Sequence, residues 1–327
     1  MFTKVLVPLD RSPLAEQAVG RAAAIARAYD ASIDLILVHE PFATSLFINH
    51  TSEMDTLDGE QRYVERMAAE ICAGSSLTVT AGVHRGAAPD VICDRAREVG
   101  ADLIVMTSHG RTGIGRMWLG SVADAVVRNS PVPVLVLRPI ADASDRRAAH
   151  HLFKHVLIPL DGSALAADIF PAATAIAQAG GAKITLARVI TPVPALTPVD
   201  ATIPLAYTPI VPDEVATSHL ASEVAAELDE IARRLKELGH VEVKAEVIVD
   251  ERAAQAIINY ASAHDVDLVA MCTHGRGASR LLVGSVADKV LRGSGLPVLL
   301  HRPVHLSAEP TVVTEPGVLD QLTPVSA

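Results

Sequence analysis

A nine-residue phrase near the N-terminus, KVLVPLDRS at 4–12, returns as HVLIPLDGS at 155–163, which sets Asp10 and Asp161 151 residues apart. A second phrase, SHGRTGIGRMWLGSVADAVVR at 108–128, returns as THGRGASRLLVGSVADKVLR at 273–292. There His109 and His274 are 165 residues apart, and Ser121 and Ser285 are 164 apart. Two phrases repeated in the same order mark a duplication, so the chain is two copies of one domain in tandem. The growth in spacing places about 14 extra residues between the phrases of the second copy, and the drop by one shortens its motif loop by one residue.

The duplication sets the boundaries. The first domain is expected at 1–140, a linker at 141–152 that opens with the polar stretch ADASDRRAAHH, and the second domain at 153–304. The remainder, 305–327, shows no sustained period and is expected to be poorly ordered. The extra residues of the second copy fall in 191–212, whose six prolines exclude regular helix and central strand and predict a long extended loop.

Within the first copy KVLVPL predicts a buried strand, with Ser12 as N-cap and Pro13 opening a helix to about Tyr29. A strand ending near His39, a helix around 53–73, a strand at LTVTAGV, a helix around 89–98, a strand at DLIVMT, a helix from GSVADAVVR and a strand at VPVLVL follow. Half the residues are hydrophobic and 3% aromatic, so Ala, Val, Leu and Ile build the core, as parallel strands covered by helices require. The predicted fold class is therefore α/β, two repeated doubly wound domains, each a five-stranded parallel sheet of order 3-2-1-4-5 flanked by helices. In that order the chain reverses direction between strands one and four and leaves a crevice beyond their carboxyl ends. Asp10 and Asp161 end strand one, and the Gly-containing loops leave strand four, so both repeated phrases converge there.

A loop of this kind before Gly120–Ser121 can present main-chain N–H groups to an anion, aided by the positive end of a helix. Ser121 can add a hydroxyl, Arg111 and Arg116 positive charge, and Asp10 an acceptor for ribose hydroxyls. On spacing alone the same residues also read as a plain turn with Ser121 as an ordinary N-cap.

These phrases resemble the universal stress protein family, whose ATP-binding members carry G-x2-G-x9-G-[ST] after the fourth strand. Gly110, nine residues and Gly120–Ser121 match its last part, with Thr107 in place of the first glycine. Gly275 and Gly284–Ser285 match across eight residues, with Cys272 in that place. The resemblance implies that Pro8 and Asp10, and Pro159 and Asp161, lie by adenine and ribose, that Met106 and Met271 flank the base, and that Val122 and Val286 join the phosphate cradle. A valine after the second strand is matched by Val189, with Glu40 in its place in the first copy. A glycine after strand three is matched by Gly86, with Glu251 in the second. The resemblance implies ATP as ligand, with Mg²⁺ or Mn²⁺ carried by the triphosphate. It also implies pairing of the two copies through their fifth strands as an internal pseudo-dimer, and a homodimer beyond it.

The formal charge of −10 argues against a nucleic-acid surface. Cys72, Cys93 and Cys272 share no short spacing, which argues against a disulfide framework or zinc site and for a reducing cytoplasm. No apolar run approaches a membrane span, and MFTKVLVPLD has no signal-peptide pattern. His109 and His274 lack a second ligand at metal spacing. Cys93 reads as helix packing, and His150, His151 and His155 as solvated. An adenylating ligase needs a glycine-rich pyrophosphate loop after strand one, where LDRSPLAE and LDGSALAA stand instead. The functional expectation is a stress-response protein that binds ATP without substantial turnover and has no catalytic residues or protein-held metal. The alternative is a nucleotide-free scaffold with degenerate sites.

Overall fold

A computed structural model of the chain describes residues 1–40, 50–73, 75–108, 119–138, 151–195, 211–239, 241–273 and 284–303, with only the backbone for 50–55. β1 (Lys4–Leu9) buries Val5, Leu6 and Val7 completely, as a central strand covered on both faces must. Asp10 Oδ1 then accepts from the Ser12 N–H (2.9 Å), and Ser12 Oγ accepts from the Ala15 N–H (3.1 Å). That turn caps α1 (Pro13–Tyr29), with Pro13 in the first turn, where no N–H is needed. The first half continues with β2 (Ser32–His39), α2 (His50–Cys72), β3 (Val79–Arg85), α3 (Ala88–Val99), β4 (Leu103–Thr107), α4 (Ser121–Asn129) and β5 (Val134–Leu137). The second half repeats it with β6 (His155–Pro159), α5 (Phe170–Gly180), β7 (Lys183–Ile190), α6 (Glu214–Gly239), β8 (Val243–Val249), α7 (Ala253–Ala263), β9 (Leu268–Cys272), α8 (Ser285–Gly293) and β10 (Val298–His301).

The strands form one ten-stranded sheet in the order β3-β2-β1-β4-β5-β10-β9-β6-β7-β8, which is 3-2-1-4-5 in each half, joined back to back. All pairings inside a half are parallel. The junction is antiparallel, Val298↔Val136, Leu299↔Leu135 and Leu300↔Val134, so each fifth strand hides the other's edge and the chain is its own pseudo-dimer. Two core layers, one on each face, run through both halves. One holds the residues under α1, α2, α5 and α6, the other those under α3, α4, α7 and α8.

The halves differ in two places. Pro171 stands about two turns into the second half's first helical segment, and its ring excludes an α-helix running through it. Ala164–Ile169 therefore forms a 3₁₀ turn, and α5 starts at Phe170 with Pro171 in its first turn. The insertion lies between the second and third strands: Val79 follows its partner Ile33 by 46 residues, and Val243 follows Ile184 by 59. The described ends of the Pro-rich loop meet in an antiparallel bridge, Pro194↔Pro212. Most of that loop, the linker and the 305–327 tail lie outside the described residues.

His155, read from sequence as solvated, is buried: its Nδ1 faces the His264 carbonyl (2.8 Å) and its Nε2 faces Thr185 Oγ1 (2.9 Å). It is the first residue of a central strand, β6, which carries it into the core. Cys93 lies in the core, where burial pushes its thiol up to about 11.

Candidate nucleotide site

The crevice arises where pairing stops. β1 and β4 pair only at Val5↔Leu103 and Leu6↔Ile104, whereas β1 follows β2 as far as Leu9↔Leu37 and β4 follows β5 as far as Thr107↔Leu137. The two strands part at their carboxyl ends, with Pro8 and Asp10 on one lip and Met106 and Thr107 on the other. The second half repeats this: β6 and β9 pair only at Val156↔Leu268 and Leu157↔Val269, leaving Pro159 and Asp161 opposite Met271 and Cys272.

Above the gap α4 begins. Gly120 is its N-cap in extended conformation (φ −62°, ψ 150°), anchored by its own N–H on the Ser108 carbonyl (2.8 Å), and no side chain caps the helix among the described contacts. This corrects the reading of Ser121 as N-cap. Ser121 is the first helical residue and is exposed. Gly284 does the same for α8 (φ −54°, ψ 147°), its N–H on the Thr273 carbonyl (2.6 Å) and Ser285 exposed. A helix start whose cap residue has no side chain presents its first amides and its positive end outward, which suits an anion. Val122 and Val286 are half-buried behind it, packed on the same core layer as Met106, Met271, Val38 and Val189. Gly110, Arg111, Arg116, Gly275, His109 and His274 lie outside the described residues.

Strand register revises two sequence equivalences. Val38 pairs with His84 and Val189 with Ile248, at the same height in each half, so Val38 and not Glu40 is the counterpart of Val189. Glu40 sits two residues further on, and its Oε1 accepts from the Ala88 N–H at the start of α3 (3.1 Å), doing the capping that Ala87 cannot. Likewise Gly86 donates to the His39 carbonyl (3.2 Å) as Asp250 donates to the Ile190 carbonyl (3.0 Å), so Asp250, not Glu251, is the counterpart of Gly86. Val38 and Val189 are 151 residues apart, as Asp10 and Asp161 are, so a count along the sequence already gives the first equivalence; the second lies beyond the insertion between the second and third strands, where register decides it.

Thr107 and Cys272 stand where the family's pattern has its first glycine. Both are buried, and each alternates with a methionine of the α3/α4/α7/α8 layer, which turns it to the opposite face. Cys272 Sγ lies 3.8 Å from the Ala166 carbonyl in the 3₁₀ turn, and burial, with Asp168 and Asp161 nearby, pushes its thiol up. Neither side chain plugs the crevice.

The two acidic tips differ. Asp161 is exposed, and its Oδ1 accepts from both the N–H (3.0 Å) and the hydroxyl (2.6 Å) of Ser163. In the first half the Ser12 hydroxyl accepts from Ala15 instead, and Asp10 is half-buried. Among the described residues no three His, Cys, Asp or Glu side chains cluster so as to hold a metal ion, and no helix is long and apolar enough to cross a membrane. A separate hollow of about 300 Å³ lies between α1 and α2, lined by Val19, Ala23 and Met67 among others.

The profile described as the universal stress protein family matches residues 1–138 and 152–302, nearly the whole chain and once per half. The chain belongs to the universal stress protein family. A universal stress protein of Mycolicibacterium smegmatis is 25% identical over 307 residues, covering 91% of this chain and 97% of that protein. One of Methanocaldococcus jannaschii is 30% identical over 148 residues, 42% of this chain and 83% of that one. The crystal structure of a universal stress protein from Archaeoglobus fulgidus has the same fold, with a TM-score of 0.64 at 18% identity over 92% of this chain and 96% of that one. The tandem member described here thus matches a relative of full length as well as single-domain ones.

Proposed function

We propose that this tandem universal stress protein binds ATP as a cytoplasmic stress-response factor without substantial turnover, with Mg²⁺ or Mn²⁺ carried by the triphosphate. The observation that carries the reading is the coincidence of three features in the first half: the β1–β4 gap above Leu6↔Ile104, the side-chain-free cap of α4 at Gly120, and Asp10 on the facing lip. Adenine lies between Pro8, Val38 and Met106, ribose on Asp10, and the phosphates on the amides of Ser121 and Val122, with the main chain of Thr107 and with Gly110, Arg111 and Gly120 completing the binding set. Pro159, Asp161, Val189, Met271, Gly275, Gly284, Ser285 and Val286 are the second half's counterparts. A scaffold role without nucleotide is favoured for the second half alone by Asp161, which Ser163 already engages twice.

Saturating Mg-ATP should stabilise the full chain, by about 2.7 kcal/mol at a hundredfold excess over Kd, and acid should release an adenine nucleotide from the purified protein. An unchanged melting temperature at millimolar Mg-ATP contradicts the reading.

A further inference from the structure

Behind the acidic tip of the first half lies a charged cluster that the second half does not repeat at the same positions, its Arg188–Glu227 pair (2.6 Å) lying further from the strand end. Glu60 of α2 is 3% exposed, with Oε2 2.9 Å from His39 Nδ1 and Oε1 3.6 Å from an Arg11 guanidinium nitrogen. His39 ends β2, and Arg11 follows Asp10 directly. Arg11 is in the left-handed region (φ 68°), a conformation that costs a non-glycine residue energy, and the second half fills that turn position with Gly162 (φ 83°). At the position of His39 it has Ile190. The first half therefore keeps a strained arginine where glycine would do, and the described contact that accounts for it is the buried carboxylate. A buried carboxylate needs polar partners, and this one finds them at the end of β2 and in the turn after β1, the turn that carries one lip of the crevice.

We infer that Glu60 is a positioning residue for the first crevice: by clasping Arg11 and His39 from behind, it holds the Asp10 turn at the height where the Asp10 carboxylate meets ribose hydroxyls. The inference rests on the nucleotide reading above. Glu60 stands on the α1/α2 face of the sheet, whereas the base-lining residues stand on the other, so it acts through the turn and not on the ligand. The second half, with glycine and isoleucine in these places, lacks the clasp and holds its own aspartate through Ser163 instead.

The test compares binding of Mg-ATP and Mg-2′,3′-dideoxy-ATP to the full chain in an Asp161→Ala background, so that preference for ribose hydroxyls reports the first half alone. The parent is expected to prefer ATP by about tenfold, the size of one or two hydrogen bonds to a charged group. Glu60→Gln is expected to lose most of that preference while its affinity for the dideoxy nucleotide stays within about twofold of the parent's. Should Glu60→Gln fold poorly, Arg11→Gly decides: glycine suits the turn, as Gly162 shows, and removes one arm of the clasp, so the preference should fall severalfold. Retention of the full preference by the folded variants overturns the inference and leaves the nucleotide reading intact. A parent that binds neither nucleotide overturns that reading, and a parent that binds both equally removes Asp10 as the ribose contact; either result takes this inference with it.

Discussion

Arg138 and Arg302 follow the fifth strand of each half, and each donates to a main-chain carbonyl in the last turn of the other half's fourth helix, Arg138 to Leu291 and Arg302 to Arg128 (3.0 Å). The exchange is that of a two-fold interface folded into one chain. Each cation meets the negative end of a helix, where the last carbonyls lack intrahelical partners. Arg292 adds a further bridge across the junction to Asp124 (3.1 Å), beside the Arg128–Asp124 (2.8 Å) and Arg292–Asp288 (2.9 Å) pairs within each helix.

Truncating either clasping arginine leaves a carbonyl without its donor and strips packing from the junction. Arg138→Ala is expected to lower unfolding free energy by about 1–3 kcal/mol, read by urea denaturation, and Arg302→Ala by a similar amount. An effect confined to only one of the two would contradict the symmetry of the exchange.

The junction itself depends on Val134 and Val136, each 1% exposed, in the antiparallel β5–β10 ladder. Val136→Asp puts an unpaired charge there and is expected to cost more than about 3 kcal/mol and to loosen the halves, seen as a larger radius of gyration in solution scattering. An unchanged radius and stability would mean that β5 and β10 do not pair as described.

Adjacent glycines at the end of α5 separate strain from collision. Gly181 has φ 61° and open space where a Cβ would go, so Gly181→Ala should cost about 1 kcal/mol, from conformation alone. A Cβ on Gly180 would stand 2.2 Å from the Phe153 carbonyl and 3.1 Å from Leu152 Cβ, so Gly180→Ala must push away the chain entering β6 and should cost at least twice as much. Thermal denaturation of the two variants side by side gives the order.

Burial lowers the affinity of His155 for a proton, the His264 carbonyl opposing in part. The neutral ring is therefore favoured in the folded state, while the unfolded chain takes up a proton near the ordinary histidine value of about 6.5. Stability from this group is complete above that pH and is lost as pH falls below it. His301, shifted the same way by burial, adds to the same slope. His155→Gln should flatten the loss of stability between pH 7 and pH 5 without abolishing it, as read from denaturation midpoints at each pH. A slope identical to that of the parent would exclude the buried neutral ring.

Most of the architecture was legible in local residues. VPLD ends a strand because Asp closes the turn on Ser12, and GSVAD opens a helix after a glycine cap, so each phrase carries its own structural cause. What could not be read depended on register or on distant partners. Asp250, and not Glu251, is the counterpart of Gly86 because equivalence across an insertion is set by strand pairing, whereas Val38 keeps the 151-residue spacing from Val189 that Asp10 has from Asp161. The 3₁₀ segment did have a local signal, Pro171 about two turns into a stretch whose first copy runs straight through. The Glu60 cluster had none, since Arg11, His39 and Glu60 come from three elements at no motif spacing. Their proximity is a product of α2 packing over the β1–α1 turn.

The central claim is tested most directly by a crystal of the full chain soaked with ATP and magnesium. The result expected is a nucleotide in the first-half crevice, its phosphates on the amides of Ser121 and Val122 and its ribose on Asp10. Both crevices empty at saturating ATP, or phosphates bound away from the start of α4, would contradict it.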